Sequence, residues 1–288
     1  LFHDNSTIDC SIGDPPYDTN PLIKQEAVES ILGSDSHYCD ARGFRDLREK
    51  IHNQNPMYLP EEILITAGAS EALASTLMAL IEPNDVVILV KPIFPLYITL
   101  LQLLGAKIIE LETLDTAWQI QPENLMSYVG NQIKAIIINT PNNPTGIIYN
   151  QQSIDAITEF VQANDCWCIV DEVYKDYSFR PFISLTQSAK ISHRLITIRS
   201  FSKSYFMCGY RLGYIMAKNN IINEILKVHQ SVMTSLPLFI QKAGFKALDL
   251  SASIQKEKIK RKRTLVYEEL IKSNVEVVLS DGGFYLFF

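Results

Sequence analysis

The sequence lacks a run of roughly 20 apolar residues, the length an α-helix needs to cross a bilayer. Its longest mostly apolar stretch, Ile93 to Ala106, is too short and contains Pro95, so it reads as core. Cysteine is scarce: Cys10, Cys39, Cys166, Cys168 and Cys208 are an odd number without framework spacing, which excludes a disulfide scaffold. No charged-then-apolar signal segment opens the residues, and a reducing cytoplasm is the expected location. Basic charge is in deficit, since 26 Lys+Arg against 32 Asp+Glu leave a net charge of -6, which repels a phosphate backbone. Neither nucleic acid nor membrane is an expected partner. Internal repeats and low-complexity tracts are also missing.

What is present is apolar bulk. With 47% hydrophobic residues in 288, the chain can bury one large core or two unequal domains. From Leu64 onward, short β-branched runs alternate with helical patterns, the signature of βαβ units and a mostly parallel sheet. The strand candidates are ILIT ending at Thr66, VVILV at Val90, KIIEL at Leu111, AIIIN at Asn139, CWCIV at Val170, LITIR at Arg199 and LGYIMA at Ala217. Most are apolar on both faces, as strands covered by helices on each side must be. SEALASTLMAL from Ser70 and SIDAITEFVQ from Ser153 read as amphipathic helices. After Ala217 helices take over, Ser251 to Ser273 forms one long helical pattern, and two apolar strands are expected near Val275 and Phe284. These features predict a large domain over 37–250 and a smaller α+β domain built from both chain ends, 1–36 and 251–288.

Ligands of parallel α/β sheets bind beyond the carboxyl ends of the strands, so the residues standing there are the candidates. Gly68, Ala69 and Ser70 open a helix whose free N–H groups and positive dipole end suit an anion, although a plain capping serine is the competing reading. Asp171 ends a buried strand, where a carboxylate stays charged only beside a cation. A turn-capping aspartate is the plainer alternative, and a nucleotide hydrolase is excluded because no GxxxxGK(S/T) loop exists. Ser200 to Lys203 matches the SxxK acylase pattern, but its companions SDN and KTG are missing. Lys203 lies between the strand LITIR and the apolar YFMCGY, a setting that buries the amine in part and suits Schiff-base chemistry. His3, His37, His52, His193 and His229 have no metal-ligand spacing and read as ordinary surface or core residues. Cys166 and Cys168 read as core, and the KEKIKRKR run from Lys256 as a solvated helix face.

Taken together, YCDARGFRDLR from Tyr38, ITAGASEAL from Ile65, KPIFPLY from Lys91, NTPNNPTG from Asn139, DEVY from Asp171 and SFSKSYFMCGYRLGY from Ser200 resemble the fold type I, pyridoxal-phosphate-dependent aminotransferases of class I and II. The resemblance covers nearly the whole chain. It implies an α/β fold with a mostly parallel seven-stranded central sheet, the cofactor pyridoxal 5'-phosphate, and exchange of an amino group between an L-amino acid and a 2-oxo acid. Aspartate or an aromatic amino acid is favoured, because the segment from Ser200 is similar to bacterial aspartate and aromatic aminotransferases.

The roles implied by the resemblance follow position by position. Lys203 would join the cofactor as a Schiff base and later shuttle a proton. Asp171 would pair with the ring nitrogen, Asn143 and Tyr174 with the phenolic oxygen, and Phe94 would stack on the ring. The phosphate would rest on Ala69, Ser70, Ser200, Ser202 and Arg211, with Tyr38 reaching over from the second subunit of a homodimer. Gly13, in SIGDPP, would contact the substrate carboxylate. A carbon–sulfur β-lyase on the same scaffold, or a cofactor-binding sensor module of a transcription regulator, remains open at this point. Leu1 is not an initiator Met and FYLFF closes the residues, so a longer chain is expected. Family members carry a carboxylate-clamping arginine in the region beyond.

Overall fold

The computed structural model describes residues 12–288, leaving aside the side chain of Ile254. His3, Cys10 and the first part of the 1–36 segment lie outside the described residues.

Seven strands form one sheet in the order β1-β7-β6-β5-β4-β2-β3. They are β1 (Ile63–Thr66), β2 (Val86–Val90), β3 (Lys107–Leu111), β4 (Ile133–Asn139), β5 (Trp167–Asp171), β6 (Leu195–Ser200) and β7 (Gly213–Ala217). Neighbours pair in parallel except that β7 runs antiparallel to both β1 and β6. The strand expectations hold to within a residue or two at their ends, because β-branched apolar runs between turn residues have few other ways to bury themselves. The carboxyl ends of β1, β4, β5 and β6 therefore lie at one edge of the sheet, and the expected chemistry converges there.

Alternate residues of each strand enter different layers. Leu64, Val87, Ile137, Ile169 and Ile196 pack under α3 (Gly68–Leu80), α4 (Pro95–Leu103) and α8 (Asn219–Met233). Ile88, Ile136, Ile138, Cys168 and Val170 pack on the opposite face against α6 (Gln151–Asn164), with Cys166 in the same cluster. Both of these cysteines are core residues, as expected. The helix starts follow local rules: Asn150 caps α6 by accepting from Ser153 N at 2.9 Å, and Asn20 caps α1 (Pro21–Leu32) by accepting from Leu22 N at 2.9 Å.

The chain ends add two findings, the second a correction. Helix α1, placed by sequence with the smaller domain, buries Ile23 and Ala27 beside Ile63, Ile65 and Met216 of the sheet and against α9 (Leu238–Ala247). Its apolar stripe is complementary to the β1–β7 face, which composition alone does not reveal. The strands expected near Val275 and Phe284 are reduced to isolated bridges, Val278 to Phe287 and Ser178 to Gly282. The helix expected over 251–273 forms as α10 (Ser253–Lys272), with Ile259 buried among Tyr174, Tyr177 and Phe206. Tyr17, Phe284 and Tyr285 border the same cluster, so residues from both ends meet above the carboxyl edge of the sheet.

Among the described residues, no helix is long and apolar enough to cross a membrane.

Candidate active site

The first wall of the site is the turn between β1 and α3. Gly68 has φ +78°, and a Cβ there would stand 2.6 Å from Arg211 Nη2, so the turn requires glycine. Gly213, opening β7, approaches so closely that a Cβ would lie 2.8 Å from the carbonyl carbon of Gly68. Ala67 occupies the capping position of α3 with no side-chain hydrogen bond, and Ser70 falls inside the first turn. Ser70 is therefore not the capping serine of the plainer reading. The helix opens with N–H groups and a dipole end facing the cleft.

The second wall comes from β4 and β5, whose register sets Asn139 beside Asp171. Asn139 ties two loops together: its Nδ2 donates to Asp171 O at 3.1 Å and its Oδ1 accepts from Asn143 N at 2.6 Å. The Asp171 carboxylate accepts from Tyr97 Oη at 2.7 Å and from Val173 N at 3.1 Å. Asp171 is only 4% exposed, and burial pushes its carboxyl up to about 6 against the pull of those two donors. No basic side chain lies within ion-pairing distance of it among the described residues. The next residue, Glu172, is consumed structurally: it meets the Arg199 guanidinium at 2.7 Å in a buried pair and accepts from Ser184 Oγ at 2.5 Å.

The third wall follows β6. Ser200 caps the short helix α7 (Phe201–Ser204) by accepting from Ser202 N at 3.1 Å, and its Oγ lies 2.9 Å from Ser202 Oγ. Lys203 is held at its backbone by Tyr177, whose hydroxyl donates to Lys203 O at 2.6 Å. Its Nζ donates to Gly13 O at 2.5 Å and stands 3.8 Å from Cys208 Sγ. The side chain is half-buried, in line with the sequence reading. Arg211 adopts φ 52° and donates through Nη1 to Cys208 O at 3.0 Å, with no carboxylate partner among the described residues.

These walls enclose a cleft of ≈ 220 Å³. It brings together Gly13, Ala69, Ser70, Phe94, Asn143, Asp171, Tyr174, Ser200, Ser202, Lys203 and Arg211. Tyr38 is not among them; it is 86% exposed and borders a separate groove with His37, Leu236 and Phe239. Four polar lining residues escaped the sequence reading as site members: Tyr97, Asn139, Cys208 and Tyr285. Tyr97 had a legible signal, since it follows Phe94 by three residues, one helical turn, and the two rings pack edge-on at 5.5 Å. Tyr285, whose hydroxyl lies 2.9 Å from that of Tyr174, had none, because only the folded chain end brings it there.

The chain is similar to known proteins over most of its length. The family described as aminotransferase class I and II matches residues 5–288. The aspartate aminotransferase of Thermotoga maritima is 30% identical over 98% of this chain and 76% of its own length. An arginine–pyruvate transaminase of Pseudomonas aeruginosa is 29% identical over 96% of this chain and 72% of its own. The crystal structure of an aromatic aminotransferase from Pyrococcus horikoshii OT3 superposes with a TM-score of 0.91 at 31% identity, covering 96% of this chain and 78% of that one. The chain belongs to the class I and II aminotransferases, transaminases of the α/β fold type I that use pyridoxal 5'-phosphate.

Proposed function

We propose that the cleft transfers the amino group of an L-amino acid, aspartate or aromatic, to a 2-oxo acid, with Lys203 and Asp171 as its principal residues. The observation that carries this reading is the convergence in one cleft of a half-buried amine, a buried carboxylate with no cationic partner among the described residues, and a helix-opening turn backed by a guanidinium with no carboxylate partner among them. The donor set suits the cofactor's chemistry at each end. A protonated ring nitrogen is the cation that Asp171 lacks, and a phosphate is the anion that the Ala69–Ser70 turn, Ser200, Ser202 and Arg211 are built to hold.

When bound, the cofactor supplies an electron sink for negative charge developing at the substrate α-carbon. Lys203 Nζ would take the proton from that carbon and return it during the second half of the exchange. Asp171 would hold the proton on the ring nitrogen, with Tyr97 and Val173 fixing the carboxylate's orientation. Asn143 and Tyr174 would donate to the phenolic oxygen, Phe94 would cover one ring face, and the backbone of Gly13 would meet the substrate carboxylate. The remaining lining residues Ile12, Leu73, Leu96 and Val173 are apolar and would exclude water from the reacting carbon. In this reading residues 37–250, with α1 packed on them, form the cofactor-binding unit, and the first described residues join 251–288 in the smaller one.

The direct test is spectroscopic. Purified protein is expected to be yellow, and its visible band to shift when aspartate or an aromatic amino acid is added. A protein that stays colourless in millimolar cofactor overturns the assignment.

Tyr38 is exposed and does not line its own cleft, which supports its role in a neighbouring subunit's site within a homodimer. Losing one hydrogen bond to a charged phosphate costs roughly 1.5–3 kcal/mol, so Tyr38→Ala is expected to be partly defective, most visibly at limiting cofactor. Mixed dimers of Tyr38→Ala and Lys203→Ala chains are expected to exceed the weighted mean of the parents, since one of their two sites regains both residues. Strictly additive activity in verified heterodimers removes Tyr38 from the shared site.

A further inference from the structure

Behind the turn that opens α3 lies a buried polar cluster that the reaction does not use. Glu71, in the first turn of α3, curls back so that Oε2 accepts from Ala67 N at 3.0 Å. Its other oxygen accepts from Ser75 Oγ and, at 3.1 Å, from His229 Nδ1 of α8. A carboxylate only accepts, so Nδ1 carries the hydrogen. The His229 side chain is 0% exposed and that of Glu71 is 11% exposed. The other buried positions of α8 are Ile221, Ile222 and Ile225, and an apolar residue at 229 would continue that face at lower desolvation cost. The retention of a buried histidine and glutamate here asks for a purpose other than packing.

Their location supplies one. Ala67 has no capping side chain and Gly68 contributes no side-chain anchor; Thr66 Oγ1 donates to Gly68 O at 3.2 Å, which leaves the Ala67 N–H to be held by Glu71. Glu71 takes up the Ala67 N–H and, by doing so, fixes the turn from which the next N–H groups point toward the cleft. Its negative charge would oppose an anion at the same helix end if it were free to swing there. His229 and Ser75 hold the carboxylate on the α8 side, away from Arg211, which stands against Gly68 on the cleft side.

We propose that His229 and Glu71 are positioning residues for the cofactor phosphate, setting the geometry of the Ala69–Ser70 turn from behind. This rests on the assignment of that turn to the phosphate. The two ideas separate by comparing pyridoxal 5'-phosphate with pyridoxal, which lacks the phosphate, as ligands of protein freed of cofactor. Unmodified protein is expected to bind the phosphorylated form much more tightly. Glu71→Ala and His229→Leu are expected to raise its dissociation constant by about 10-fold while that of pyridoxal moves less than about 2-fold. Glu71→Gln keeps an oxygen that can accept from Ala67 N, and is expected to stay within about 3-fold of the unmodified protein. Should Glu71→Ala fail to fold, His229→Leu and Glu71→Gln still carry the comparison. Equal weakening of both ligands, or no weakening in His229→Leu, overturns the positioning role while the phosphate turn stands. Unmodified protein that binds both ligands equally overturns the phosphate turn itself, and the positioning role with it.

Discussion

Lys203→Ala is expected to lower transamination by at least about four orders of magnitude while leaving the chain folded. General acid–base transfer by a positioned group is worth 10²–10⁴ in rate, and the same amine is proposed to hold the cofactor covalently, so two contributions are lost together. The fold is expected to tolerate the change because the backbone of Lys203, not its amine, carries the local structure: Tyr177 donates to Lys203 O, and Ser200 caps the helix. The amine's contacts are to Gly13 O and Cys208 Sγ at the cleft surface. The measurement is single-turnover conversion of amino acid to 2-oxo acid, with circular dichroism as the folding control. A variant within about 100-fold of the unmodified rate removes Lys203 from the proton transfer.

Asp171→Asn is expected to have opposite effects on activity and stability. Turnover should fall by about 10³-fold or more, since the amide cannot balance positive charge on the ring nitrogen and the electron sink weakens. The cofactor-free protein should become more stable at neutral pH. Burial raises the Asp171 carboxyl from 3.8 to about 6, so its charged form is disfavoured in the fold relative to the unfolded chain. For an acid raised in this way the penalty is fully present above pH 6 and fades as pH falls toward 3.8. Its size is of the order of 1–3 kcal/mol, and the isosteric amide escapes it. The thermal midpoint of the variant should therefore exceed that of the unmodified protein at pH 7.5, with the gap reduced to about half near pH 5 and closing only toward pH 3.8. A midpoint that drops equally at both pH values makes Asp171 a structural cap. The trade of stability for a charged group in the cleft is the pattern expected of a functional carboxylate.

Reading outward from these two residues shows how unevenly the molecule was written into its sequence. Strand ends such as Thr66 and Asn139 were legible, and those at Asp171 and Ser200 were legible to within one residue, because each closes a run of buried residues rich in β-branched side chains. The groups just beyond such ends face the ligand side in this class of sheet. Lys203 and Asp171 could be singled out before any fold was known because each stands beside an apolar strand, and the resemblance of the motifs around them implied their roles. His229, by contrast, was read as an ordinary histidine. Its partner Glu71 lies 158 positions away, and nothing local to either residue announces the pairing. Tyr97 could have been found by its one-turn spacing from Phe94, but its bond to Asp171 spans 74 positions and depends on α4 packing over the end of β5.

The sequence by itself determined the alternation of strands and helices, the fold class, the family and most of the cleft residues, because these follow from short-range periodicity and from motifs a few residues long. Tertiary structure alone decided the reversed direction of β7, the docking of α1 on the sheet, the closing of the cleft by Tyr285, and the burial that makes Asp171 a weaker acid. Those properties come from which surfaces meet across long stretches of chain. They are set by shape and desolvation at the contact, quantities that no local run of residues contains.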